Sequence, residues 1–208
     1  MDRTDVAGMK MADEKSGGKE NSSQDVLKTG IPGFDELFST GGIPKGNTVI
    51  IAGGAGTGKS TLCRQICMNL VSKGKQCMYV SFEESIPRIE KSMLGFGWDV
   101  RKYIDEGRFL IQKIDPLDIL RMKFGSISGS GSATEITAKI QPLVIPRGFT
   151  PEVIVVDSLS AVISATVSKE KNYRIYLHQL FTFFEESGAT SFLITAVSYT
   201  HLTLPTKA

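Results

Sequence analysis

The sequence predicts an α/β protein in which a mostly parallel central sheet carries helices on both faces. Three observations lead there. Short apolar runs alternate along the chain with segments of helical periodicity. The runs are bounded by turn residues, as buried strands are. The 208 residues are 41% hydrophobic and 22% charged, ordinary globular usage for one domain with a substantial core.

The elements follow in order. Thr48–Ala52 (TVIIA) is a short apolar run that suits a buried strand. Lys59–Ser72 reads as a helix with Leu62, Cys63, Ile66 and Leu70 on one face. Gln76–Phe82 is a second strand. Ser85–Leu94 suits a helix, with Pro87 tolerated in its first turn. Arg108–Ile114 is a third strand. The Gly/Ser stretch 125–132 forms a loop, and a helix is expected over Ala133–Val144. Glu152–Val156 is a fourth strand closed by Asp157. Tyr173–Glu186 is a helix burying Leu177, Leu180, Phe181 and Phe184. Ser191–Ala196 is the fifth strand.

The ends differ from the middle. Residues 1–26 are rich in Gly, Ser, Lys, Glu and Asp, and are expected to form a disordered tail. Val197–Thr206 (VSYTHLTLPT) resembles the translation of a transposon end and adapter used in sequencing libraries. Residues 197–208 are therefore read as non-native and excluded from fold reasoning. The native domain, taken as 27–196, is expected to continue beyond Ala196, with its last strands missing here.

Charge and cysteine usage narrow the function classes. Lys plus Arg (24) nearly cancels Asp plus Glu (22), and a net charge of +2 gives no reason to expect nucleic acid or an anionic membrane. Cys63, Cys67 and Cys77 lack metal or disulfide spacing and read as reduced, packed thiols of a cytoplasmic protein. No apolar run approaches the ~20 residues of a membrane span.

One motif carries most of the functional signal. Gly53-Gly54-Ala55-Gly56-Thr57-Gly58-Lys59-Ser60 matches GxxxxGK[ST], the P-loop, followed by Thr61, and it joins an expected strand to an expected helix. Glycines let backbone N–H groups close on phosphate oxygens, and the helix adds its positive end. Lys59 is the residue to reach the β- and γ-phosphates of ATP, and Ser60 the hydroxyl to ligate Mg²⁺. A neighbouring strand should end in a metal-orienting acid, and Val153–Asp157 (VIVVD) supplies Asp157. The alternative is a helix-capping Asp, since Ser158 and Ser160 follow. Glu83 and Glu84 leave the second strand at the same sheet edge. They suit a role on water, or a pair favoured by the dipole of the next helix.

Several strings in order make a family resemblance. Thr29-Gly30-Ile31-Pro32-Gly33-Phe34-Asp35-Glu36-Leu37, Gly41–Gly46, the P-loop and Ser81-Phe82-Glu83-Glu84 resemble the KaiC family, a branch of the RecA/RadA-type ATPases. Gly95-Phe96-Gly97-Trp98-Asp99, Val156–Ser160, Arg174 and Glu185–Thr190 continue it. The resemblance implies a three-layer RecA-like P-loop fold that binds ATP and Mg²⁺ and often assembles into hexameric rings. It also implies that Glu83 and Glu84 match the family's catalytic carboxylate pair. Lys59 is expected to join them in catalysis.

Three functions compete. The first is a regulatory ATPase whose assembly depends on nucleotide. The second is a RecA/RadA-like DNA recombination or repair ATPase, which needs basic loops after the fourth and fifth strands. Lys169 and Lys171 lie in the first such segment, Ser164–Asn172, beside Glu170. The third is autophosphorylation on hydroxyls such as Ser164, Thr166 and Ser168.

Overall fold

The computed structural model describes residues 25–116, 118, 143–166 and 170–196. The expected tail, up to residue 24, lies outside the described residues. So do the Gly/Ser stretch, 133–142 of the expected helix, and the adapter-like segment. Leu143 and Val144, the last residues of that expected helix, are not helical.

Strands β1 (Val26–Leu27) and β2 (Ile43–Pro44) pair antiparallel. β1 thus begins one residue inside the stretch read as tail, and Asp25 reaches Lys45 at 2.7 Å. Between them the Asp35 carboxylate ties the chain back on itself. It accepts the Thr29 N–H (2.9 Å), the Thr29 hydroxyl (2.7 Å) and the Gly30 N–H (3.1 Å). A single 3-10 turn covers Asp35–Leu37.

The main sheet holds β3 (Thr48–Gly53), β4 (Cys77–Ser81), β5 (Phe109–Lys113), β6 (Val153–Asp157) and β7 (Thr190–Ala196). Its order is β3-β7-β6-β4-β5, with every pairing parallel. All the strands therefore end on one edge. The helices are α1 (Lys59–Val71), α2 (Ile86–Gly95), α3 (Val100–Asp105), α4 (Leu159–Thr166) and α5 (Glu170–Ser187).

Strand alternation divides the core between two faces. Cys77, Tyr79, Val153, Val155, Phe192 and Ile194 point to the face covered by α1, α2 and α3. Met78, Val80, Ile154, Val156 and Leu193 point to the other, packed by Val162, Tyr176, Leu180 and Phe184 of α4 and α5. β4 and β6 are buried along their whole length, which is why they read as unbroken apolar runs.

Three expectations change. β3 was expected to be buried, but it is the end strand of the sheet among the described residues, and Ile50 is 61% exposed. Ser164–Asn172 was expected as a loop, but α4 runs through Thr166 and α5 starts at Glu170. Lys169 and Ser168 lie outside the described residues, and Lys171 falls on α5. The third change is α3, absent from the sequence reading. It starts where the Asp99 carboxylate accepts the Lys102 N–H at 3.4 Å, an N-cap bond.

Candidate functional site

β3 delivers the chain to Gly53 and α1 takes it up at Lys59, with the P-loop in between. Gly56 and Gly58 have φ of 74° and 84°, where a side chain would clash with its own backbone. At Gly53 an added Cβ would come within 3.0 Å of Thr57 Oγ1. The loop is closed on itself: the Thr57 hydroxyl donates to the Gly54 carbonyl (2.9 Å), and Lys59 Nζ donates to the same oxygen at 2.5 Å. The first helical bond of α1 is Leu62 N–H to Gly58 O at 2.8 Å. The N–H groups of Lys59, Ser60 and Thr61 precede it and have no intrahelical acceptor. No acidic residue stands in that first turn to neutralise the helix end.

β4 and β6 bring the predicted carboxylates together. Ser81 pairs with Asp157 across the sheet, and Phe82 N–H donates to Asp157 O at 2.7 Å. Glu83 and Glu84 therefore leave β4 beside Asp157. Ser81 Oγ accepts both of their N–H groups, at 3.3 and 2.9 Å. The Ser158 hydroxyl donates to Glu83 Oε1. Asp157 is the last residue of β6, and its side chain does not cap α4. Oδ2 instead accepts the Tyr79 hydroxyl and lies 3.8 Å from Arg64 Nη2.

Arg64 ties these strand ends to α1. It is 5% exposed, and each nitrogen of its fork has a partner. Nε donates to the Tyr79 hydroxyl oxygen at 3.1 Å, Nη1 to Ser92 Oγ at 3.4 Å and Nη2 to Glu84 Oε1 at 2.5 Å. Burial disfavours its charge, but Tyr79 and Glu84 outweigh that and raise its pKa. Burial and the Asp157 charge raise the Tyr79 pKa, so the phenol stays neutral and keeps the proton it donates. Ser60 precedes Arg64 by four residues and so lies on the same helix face, one turn nearer the P-loop. That places the P-loop serine one turn from the residue that touches Asp157.

Comparison with known proteins identifies the family. The family described as "ATPase: KaiC" matches residues 27–206. The chain belongs to the KaiC ATPase family. A UPF0273 protein of Pyrococcus furiosus is 34% identical over 173 residues, 83% of this chain and 68% of that protein. The circadian clock protein KaiC3 of Synechocystis is 33% identical over 175 residues, 84% of this chain but 33% of KaiC3. A crystal structure of a KaiC-like protein from Pyrococcus horikoshii superposes with a TM-score of 0.63 at 31% identity, covering 83% of this chain and 71% of that one. The chain thus spans about two thirds of these two archaeal proteins and a third of the clock protein. The fold is the RecA-like P-loop ATPase fold that the motifs predict.

The donor set of this KaiC ATPase domain suits magnesium. Among the described residues no three His, Cys, Asp or Glu side chains gather into a metal cage. Mg²⁺ does not need one, since it is commonly held by one or two carboxylates with phosphate and water. Ser60 Oγ and Asp157 are hard oxygen donors of that kind. Both Asp157 side-chain contacts use Oδ2, and among the described residues nothing hydrogen-bonds Oδ1.

Sequence reading missed Arg64, Tyr79, Ser81 and Ser158 as parts of this site. The available signal was a lone Arg in the apolar stretch of α1 and a lone Tyr in that of β4. A buried charge or hydroxyl needs a partner, so each pointed to a second polar group across the core.

Proposed function

We propose that this chain binds ATP with Mg²⁺ and hydrolyses it, and that the nucleotide state controls its assembly with further copies, in a ring of six by family resemblance. The P-loop closed onto α1, with Asp157 and the glutamate pair on the same sheet edge, carries the reading. Gly53–Gly58 and the first amides of α1 receive the phosphates, with Lys59 neutralising the γ-phosphoryl oxygens and Thr61 on the first turn. Ser60 and Asp157 hold the magnesium, which when bound offsets charge on the β- and γ-phosphates. A carboxylate of the Glu83–Glu84 pair orients a water and takes its proton. The water oxygen bonds to the γ-phosphorus, the bond to the β–γ bridging oxygen breaks, and ADP leaves with that electron pair.

The test pairs binding with turnover. The full chain should bind a fluorescent ATP analogue with Mg²⁺ and release phosphate. Lys59→Ala should weaken that binding by about 100-fold or more, the scale for losing one preorganised charge at a phosphate. Unchanged affinity in the variant would refute the P-loop assignment. Sedimentation velocity with and without Mg·ATP tests assembly, and an identical profile in both would refute nucleotide control.

A further inference from the structure

The adjacent glutamates at the end of β4 are held by different partners. Glu84 is the counter-charge of a buried guanidinium: Oε1 receives Arg64 Nη2 at 2.5 Å, and Oε2 lies 3.6 Å from Arg88 Nε. Glu83 is exposed and, among the described residues, pairs with no cation; its Oε1 accepts the neutral Ser158 hydroxyl. A carboxylate that neutralises a buried charge cannot turn away without stranding that charge. A carboxylate held by one hydroxyl at the surface can exchange that bond for one to water at little cost.

Arg64 is itself immobile. Its fork meets Tyr79, Ser92 and Glu84, and the guanidinium carbon sits 5.3 Å from the centre of the Tyr79 ring. One side chain therefore ties α1, which carries the P-loop lysine, to the exit of β4 and to α2. From these contacts we infer that Arg64 is a positioning residue: it fixes Glu84 as a structural counter-charge and leaves Glu83 alone of the pair to act on the attacking water. This rests on the ATP-hydrolysis reading above. The two glutamates, equivalent in sequence, are then unequal in role.

The experiment measures kcat, KM for Mg·ATP and unfolding midpoint for Glu83→Gln, Glu84→Gln, Arg64→Met, Arg64→Lys and the Arg64→Met/Glu84→Gln double variant, all in the full chain. Glu83→Gln should lower kcat by about 100-fold or more with KM unchanged, as loss of a general base does. Its unfolding midpoint should stay near that of the wild type. Glu84→Gln and Arg64→Met should each lower kcat by about 10-fold, a looser placement of the same base, and should also lower the midpoint. The double variant should fall no further than the worse single, because both remove one clamp. Arg64→Lys should recover part of kcat, since an ammonium meets Glu84 but cannot span three partners. If Arg64→Met does not fold, Glu84→Gln and Arg64→Lys decide. Glu84→Gln losing as much kcat as Glu83→Gln overturns the inference, as does a double variant in which the losses multiply. Stability losses with kcat intact would make Arg64 merely structural and overturn it too. A wild-type chain that binds Mg·ATP but releases no phosphate refutes the hydrolysis reading itself and takes this inference with it. In the other cases hydrolysis stands and only the division of roles falls.

Discussion

Removing one hydroxyl from each of two buried tyrosines should move stability in opposite directions. Tyr79 is fully buried between α1 and the sheet, and its hydroxyl accepts from Arg64 and donates to Asp157. Tyr79→Phe breaks both bonds and leaves two charged groups short of a partner in the core. Hydrogen bonds to charged groups contribute about 1.5–3 kcal/mol each, so the loss should be about 3 kcal/mol even at the lower figure. Tyr176 is 1% exposed on the other face of the sheet, and its hydroxyl meets no hydrogen-bond partner among the described residues. Burial raises its pKa, so the group stays neutral, and the unmet hydroxyl costs desolvation without return. Tyr176→Phe should therefore stabilise by about 1 kcal/mol. The assay is urea unfolding at equilibrium, with the slope checked so that a moved midpoint reports stability alone. Thermal midpoints should fall by roughly 10 °C in the first variant and rise by roughly 3 °C in the second. The two sites belong to different packed clusters, so the double variant should equal the sum within about 0.5 kcal/mol. A Tyr79→Phe loss under about 0.5 kcal/mol, or equal shifts in both variants, would show that the Arg64–Tyr79–Asp157 bonds contribute nothing net.

Two further outcomes are expected. Partial burial works to raise the Asp35 pKa, but hydrogen bonds from the Thr29 hydroxyl and the Thr29 and Gly30 N–H groups hold it below its ordinary 3.8. A depressed carboxyl stabilises fully above its unfolded pKa and loses that contribution as pH falls through the folded one. The stability gap between wild type and Asp35→Ala should therefore shrink as pH drops below 3.8, and a gap unchanged from about pH 7 to about pH 3 would contradict a stabilising role for these bonds. Cys63, Cys67 and Cys77 are buried and free; burial pushes the Cys63 thiol up in pKa, and hydrogen bonding with Cys77, followed by burial, raises that of Cys67. They should resist a thiol-titrating reagent in the native protein and react together on denaturation; rapid native reaction at any of them would show that α1 opens.

The legible parts of the fold are those written in local order. A strand buried on both faces is an apolar run whatever its neighbours, so β4, β6 and β7 fall within a residue or two of where they are expected. α1 is equally plain, because the P-loop marks its start and apolar spacing its length. α4 was illegible for the opposite reason. Leu159–Thr166 (LSAVISAT) is rich in β-branched residues and Ser, poor helix formers. It is helical because Val162 is buried against the sheet and Ser160 Oγ accepts the Ala196 N–H at 2.6 Å, both tertiary contacts. The half-exposed state of β3 was also unreadable, since an apolar run does not reveal how many sheet neighbours a strand has.

The site divides along the same line. Phosphate binding is a matter of consecutive residues, because one loop must fold around one ligand, and so Gly53 to Ser60 can be read as a word. The residues proposed for metal and water come from different strand ends, and only parallel topology makes Asp157, Glu83 and Glu84 neighbours. Residue type and position after an apolar run were enough to nominate those three. They were not enough to rank them, because the ranking comes from contacts 20 and 75 residues apart, Arg64 to Glu84 and Ser158 to Glu83. A charge buried by folding must be matched by a charge that folding brings to it. Had α1 carried an apolar side chain at position 64, Glu84 would keep only the exposed Arg88, 3.6 Å away, as a counter-charge and would lose the bond that holds it to the core. The inequality of the two glutamates thus comes chiefly from one arginine on a neighbouring helix, with the Ser158 hydroxyl marking out Glu83.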